Sequence, residues 1–202
     1  MQDTPPGPHD PLTSEPYDVG FDIETTGVDA DSILTVACAW TPHTQVSCFN
    51  GDDFTPILSI LDNARYIFSF NAIGFDLPRL AKHVGREDIG PWVRKTVDPL
   101  YLMKNVLGFG ACMKLNDVLL ANGFQPKSGS GLQAIEFWYQ GRRKELADYC
   151  VDDCRLSYLL CVKDEIRWKQ WIVKLREPRV VVVAPLEKKD DDAAAKCGLI
   201  NK

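Results

Sequence analysis

The 202-residue chain reads as an α/β protein, with a central mixed sheet of five strands flanked by helices. Three observations predict this. Apolar segments at 17–23, 32–40 and 44–50 follow one another closely, the last two joined by Thr41-Pro42-His43 as a tight turn, which is the pattern of an antiparallel meander. A strand-like segment at 65–70, a helical one at about 75–84 and a short strand at 95–98 then alternate, as in the crossover of a parallel pair. Last comes a long helical stretch that begins at 145.

Taken in order, residues 1–16 are proline-rich, polar and without periodicity, and are expected to be a disordered arm. Residues 17–177 form the expected domain, and 178–202 a strand-like segment followed by a mobile tail. Between the third and fourth strands a helix opens at Asp52-Asp53 and runs to about 63, with Phe54, Ile57, Leu58 and Leu61 at helical spacing. A helical stretch follows the fifth strand from 99 to about 106. Another, 114–122, ends at Gly123 as a cap. Residues 125–131, with Lys127-Ser128-Gly129-Ser130-Gly131, read as a polar loop, and 132–140 as a helix. Gly141-Arg142-Arg143-Lys144 breaks it and opens the long helix, expected from 145 to about 173. Pro178 ends the helical possibility. Four valines in a row, Val180 to Val183, then give a strand signal.

Composition is that of an ordinary globular protein, 45% hydrophobic and 25% charged. No apolar run approaches the roughly 20 residues that span a bilayer, so no membrane partner is expected. Met1-Gln-Asp-Thr-Pro-Pro-Gly-Pro8 has neither the basic start nor the apolar stretch of a secretory signal, which leads to the expectation of an intracellular protein. The seven cysteines are odd in number, irregularly spaced and without a Cys-x-x-Cys, which excludes a disulfide framework and argues against a structural zinc site. Cys150, Cys154 and Cys161 instead form a helical stripe of small core residues. A net charge of -5 argues against coating nucleic acid through bulk charge, but it does not exclude an enzyme that holds a nucleic-acid end locally.

The chemistry concentrates in Phe21-Asp22-Ile23-Glu24-Thr25-Thr26-Gly27. Strand residues alternate faces, so Asp22 and Glu24 point the same way. Two carboxylates on one face repel, and their burial requires compensation. A hard divalent cation such as Mg²⁺ or Mn²⁺ suits an oxygen-only site. Asp76 lies just after a strand and near a helix start. Tyr149 and Asp153 are one turn apart on the long helix and share a face. An Asp-x-Glu pair, a helix-start acid and a solvated helix face are each commonplace alone. In this order, however, four carboxylates can hold two divalent ions roughly 4 Å apart and polarise a phosphodiester, with the phenol beside one ligand placed to orient a water.

Phe-Asp-Ile-Glu-Thr-Thr-Gly, Asn71-x-x-x-Phe75-Asp76 and Tyr149-x-x-x-Asp153 resemble, in order and spacing, the three exonuclease motifs of the DEDD superfamily, and the tyrosine marks the DEDDy branch. That branch includes the proofreading domains of family A and B DNA polymerases. Over about 17–164 the chain looks most like stand-alone exonucleases of the YprB-like type, within the DnaQ-like group of ribonuclease H-like fold. The resemblance implies 3′→5′ hydrolysis at the single-stranded or frayed 3′ end of DNA, or else RNA, releasing nucleoside 5′-monophosphates with two Mg²⁺ or Mn²⁺ ions. It implies Asp22 bridging both ions, Glu24 and Asp153 completing the site of the water-activating ion, Asp76 holding the second ion, and Tyr149 orienting the water. Thr25 and Thr26 would lie against the terminal sugar, and Asn71 and Phe75 would shape the pocket for the terminal nucleotide.

Arg142, Arg143 and Lys144 oppose the macrodipole at a helix start, which suggests a hold on the phosphates of the entering strand. Trp168 and Trp171 could stack on bases or form the apolar face of a docked helix. Asp98 reads as structural, and Asp152 as a weaker ligand candidate than Asp153. Any polymerase, replication or repair partner would be a separate chain. Two other readings stay open. One is a non-catalytic nucleic-acid-binding or scaffold module that keeps the fold, and the other an endonuclease or junction resolvase of the same broad fold.

Overall fold

The computed structural model describes residues 16–107, 113–175 and 183–185. Strand β1 (Asp18–Thr25) is followed by β2 (Leu34–Trp40), β3 (Gln45–Phe49), α1 (Thr55–Asn63), β4 (Tyr66–Phe68), α2 (Asp76–Val84), α3 (Gly90–Lys95), β5 (Thr96–Val97) and α4 (Pro99–Leu107). Then come α5 (Leu115–Ala121), α6 (Gly131–Tyr139), α7 (Arg143–Cys161), β6 (Glu165–Trp168), β7 (Trp171–Lys174) and β8 (Val183–Pro185). The central sheet has the order β3-β2-β1-β4-β5. Its β1–β2 and β2–β3 pairs are antiparallel, and its β1–β4 and β4–β5 pairs are parallel. This is the expected mixed five-stranded sheet, with the meander on one side of β1 and the crossover strands on the other.

The alternation of β1 sorts its side chains between two environments. Val19, Phe21 and Ile23 enter the core formed with α1, α2 and α3. Full burial of each such side chain contributes about 1.5–3 kcal/mol, and this fixes the register. A one-residue slip would send Asp22 and Glu24 into that core instead. In the register observed, Asp22 lies opposite Cys38 and Glu24 opposite Val36. Val36 and Cys38 belong to the cluster formed with α6 and α7, alongside Leu146, Tyr149, Cys150 and Cys154. The two carboxylates therefore face the long helix.

The long helix stops at Cys161, a dozen residues short of the expectation. Residues 165–174 form a hairpin whose strands pair Ile166 with Val173 and Trp168 with Trp171. Glu165, Ile166, Arg167 and Trp168 alternate exposed and buried, a period of two that outweighs helical spacing. Lys169 takes a positive φ of 51° at the turn. β8 adds to β7 as a third strand, so Val183 pairs with Val173, while Val180 to Val182 lie outside the described residues, as do the arm at 1–15 and the tail beyond 185. Trp168 is buried and Trp171 packs against the same cluster. These rings are core, and Trp168 has no face left for a base. Cys150, Cys154 and Cys161 form the expected buried stripe and are free thiols. Helix α3 is an element absent from the sequence expectation. Among the described residues, no helix is long and apolar enough to cross a membrane.

Candidate metal centre

The site begins with the close approach of α7 to β1. Gly20 lies against the main-chain carbonyl of Cys154, and a β-carbon there would collide with it. Only a glycine lets the helix axis come this near. The approach brings Asp153, the residue before Cys154, over the strand. As a result, Asp22, Glu24 and Asp153 each place a carboxylate oxygen within 4.8 Å of the other two. Asp153 is almost fully buried.

Asp76 comes from the other side of the sheet's centre. β4 runs parallel to β1 and ends at Phe68 beside Gly20. The chain then turns through 69–75 and starts α2 with Asp76, which is 4% exposed. Asp98 braces this turn. Its buried carboxylate accepts the main-chain N–H groups of Asn71 (2.9 Å), Ile73 (3.0 Å) and Tyr101 (3.1 Å), which is the structural role expected of it. Asn71 adopts φ 76°, a conformation that asparagine tolerates better than most residues, and its carbonyl accepts the Phe75 N–H. Phe75 packs partly against the first core, with the Arg79 guanidinium 5.0 Å from its ring centre.

Electrostatics bind the four acids into one unit. Burial, then the charges of Asp76, Glu24 and Asp153, push the Asp22 carboxyl well above the usual range. Burial and the charge of Asp153 raise Glu24 to about 8. Asp76 is raised well above its usual value, first by burial and then by Asp98 and Glu24. Burial raises Asp153 against the opposing pull of Lys127. Of the other carboxylates, Asp76 perturbs Asp22 most. Asp76 lies outside the group of three that share the 4.8 Å spacing and is joined to it through these charges.

Among the described residues three buried side-chain polar atoms have no hydrogen-bond partner, Ser69 Oγ and, beside the acids, the Tyr149 hydroxyl and Asp153 Oδ1. Such atoms are costly unless something satisfies them. Burial and then the charge of Asp153 hold the Tyr149 phenol above its usual pKa. An oxygen-only donor set, mutual repulsion and an orphaned carboxylate oxygen fit hard divalent cations. Asp22, Glu24 and Asp153 would hold one, and Asp22 with Asp76 a second.

The remaining expected residues fall into two groups. Thr25 and Thr26 shape the turn after β1. The Thr25 hydroxyl donates to the Gly27 carbonyl at 2.5 Å and the Thr26 hydroxyl accepts the Ile33 N–H at 2.9 Å. Arg79 and Lys82 of α2 donate to the Val28 and Ala30 carbonyls and fix the same turn. Arg142 and Arg143 are not drawn to the acids. Arg142 donates to Glu145 and Gln140 and covers the Phe137 ring, and Arg143 covers Phe49 on β3. Lys144 pairs with Asp148, and Asp152 with Arg155 three residues on. The misfit with the macrodipole is met by these local partners.

One site residue escaped the sequence reading. Lys127, in the polar loop before α6, places its ammonium 2.5 Å from Asp153 Oδ2 and 4.8 Å from the centre of the Tyr149 ring. A single lysine in a Ser/Gly-rich loop carries no spacing signal. Only the packing of the loop on α7 reveals it.

Fold and site together make this an α/β protein with a mixed 3-2-1-4-5 sheet and a cluster of acids on its central strand and on the helix crossing it. The RNase_H_2 family model, described as RNase_H superfamily, matches residues 19–163. The chain belongs to the RNase H superfamily, whose nucleases act on nucleic acid and generally use divalent metals. The comparison with curated proteins gives no match.

Proposed function

We propose that the protein is a DEDDy-type 3′→5′ exonuclease, acting by a two-metal-ion mechanism on the single-stranded or frayed 3′ end of DNA, with RNA as the second choice. The observation that carries this reading is the convergence of Asp22, Glu24 and Asp153 within 4.8 Å, electrostatically joined to Asp76, with the unpartnered Tyr149 hydroxyl one helical turn from Asp153. When bound, divalent ions would acidify a water and neutralise charge on the leaving oxygen. Asp22 links the two halves of the site. Glu24 and Asp153 form the water side, where the Tyr149 hydroxyl is free to orient the attacking water. Its raised pKa makes it a positioning group and a poor base at neutral pH. Asp76 serves the leaving-group side. Asn71 and Phe75, on the braced turn before Asp76, would shape the terminal-nucleotide pocket. Thr25 and Thr26 present the turn after β1, and their hydroxyls act chiefly in fixing it.

The test is degradation of matched DNA and RNA single strands labelled at the 5′ end, with Mn²⁺, Mg²⁺ or chelator, beside Asp22→Ala. A metal-dependent ladder shortening from the 3′ end and absent in the variant is expected. Absence of a ladder, with binding retained in chelator, would make the protein a non-catalytic nucleic-acid-binding module. Cleavage of a circular single strand would make it an endonuclease.

A further inference from the structure

Lys127 is held in place by more than its ion pair. Its main-chain N–H donates to Asn116 Oδ1 of α5 at 2.9 Å. Two residues on, Gly129 packs so closely on Tyr149 that a β-carbon would lie 2.9 Å from the ring. The Ser130 N–H is then accepted by the Gln133 side chain at 3.0 Å, where α6 begins. The loop is thus pinned to α5, α6 and α7, and it directs a largely buried ammonium onto one oxygen of Asp153. The other oxygen is buried without a partner. The ammonium therefore lies against the carboxylate that the three-acid group needs for a cation.

The ammonium on Oδ2 and a divalent ion on the unpartnered Oδ1 would share one carboxylate, and like charges held that close repel strongly away from bulk water. Without either, Asp153 would be an uncompensated buried charge beside Asp22 and Glu24.

We propose that Lys127 is a tethered cation that holds Asp153 before metal binds and must leave it for the water-side ion to load, so that metal binding releases the 125–130 loop from α7. This rests on the metal-dependent reading of the same site. Lys127 is here a positioning residue acting through Asp153. The consequence is reciprocal. Whatever the ammonium contributes to the metal-free state it takes from metal affinity, and such couplings are typically about 5–150-fold.

The experiment is Mn²⁺ titration of the full chain, read from the paramagnetic resonance of free Mn²⁺, with thermal unfolding in chelator and in Mn²⁺. Wild type, Lys127→Met and Lys127→Arg are compared. Lys127→Met is expected to bind Mn²⁺ roughly tenfold tighter, to melt lower in chelator and to gain more from Mn²⁺. Lys127→Arg, which keeps the charge, should stay near wild type. A wild type that binds Mn²⁺ with a Lys127→Met variant that binds no tighter would overturn the proposal and leave the nuclease reading standing. Absence of Mn²⁺ binding in either protein would overturn both. A readout independent of any variant is hydrogen exchange in the wild type. Mn²⁺ should speed exchange in residues 125–130, and slower exchange there would overturn the proposal.

Discussion

Gly20 on β1 and Cys154 on α7 meet backbone to backbone, with no room for a side chain between them. This contact sets the distance between the strand that carries Asp22 and Glu24 and the helix that carries Asp153. Gly20→Ala is therefore expected to lift α7 off the sheet. Overpacking of this kind costs about 1–3 kcal/mol, which urea unfolding would measure. Mn²⁺ affinity should fall as well, because Asp153 leaves the cluster. A variant with wild-type stability and wild-type metal binding would show that the helix is not held by this contact.

Asp22→Asn should separate function from stability. The carboxyl is held well above its ordinary pKa by burial and by its neighbours, so its charge is unfavourable in the metal-free fold. Removing that charge should raise the unfolding midpoint in chelator while abolishing hydrolysis, the trade expected of a strained functional residue. A lowered midpoint would mean that the charge is better compensated than the geometry implies.

For Tyr149→Phe the expected outcome is slower hydrolysis by roughly 10²–10⁴-fold, the range for a positioned proton-handling group, with Mn²⁺ binding retained. The hydroxyl has no partner at good hydrogen-bond geometry and interacts with Lys127 and Asp153 of the site, so stability should change little. A large drop in melting temperature would instead assign the hydroxyl to the fold.

Glu24 sets a pH dependence whose sign can be worked out. Its carboxyl rises from the usual 4.5 to about 8, through burial first and Asp153 second. The folded state then binds this proton more tightly than the unfolded chain does. The resulting stabilisation is complete below about 4.5 and is lost as pH rises toward about 8. Metal binding runs the other way, since the proton must leave, and affinity for Mn²⁺ should climb until about pH 8. Melting temperature against pH in chelator, beside Mn²⁺ titrations at the same pH values, checks both slopes.

Asp98→Ala would strip the acceptor from three main-chain N–H groups. Each buried donor left unsatisfied costs about 1–3 kcal/mol, so a loss of several kcal/mol is expected on denaturant unfolding. Activity should fall with it, because the 69–75 turn that delivers Asp76 loses its brace.

Much of this is legible in the amino-acid order, for identifiable reasons. The alternation of Val19, Phe21 and Ile23 with Asp22 and Glu24 writes both the strand and its two faces. Tyr149 and Asp153 share a helix face by spacing alone, and the crossover around Asp76 follows from the strand–helix–strand rhythm. What failed to show was governed by tertiary partners. The hairpin at 165–174 looked helical because Ile166, Trp168 and Val173 lie in a polar background that suits either period, and the cluster they enter decides. Arg142 and Arg143, which looked like phosphate ligands, have partners at both ranges, Glu145 one turn along the helix and the Phe49 ring across the fold, and only the second needs the folded chain. Lys127 lies 26 residues from the acid it pairs with, across a loop and a helix.

The position of β1 also divides the acid cluster by lifetime. β1 is paired with β2 along Asp22 and Glu24 and with β4 at its start, from Asp18 to Gly20, so the backbone that carries both acids moves only when sheet pairing opens, which is rarer than loop motion. Lys127 reaches the acids from a loop held by single side-chain contacts to its neighbours, and loop motions, on nanosecond to microsecond scales, are fast beside the opening of a sheet. An arriving ion would thus meet two carboxylates fixed by the sheet and a cation whose retreat it must await. Entry would be paced by the loop and the final geometry by the strand, and the two could be altered independently.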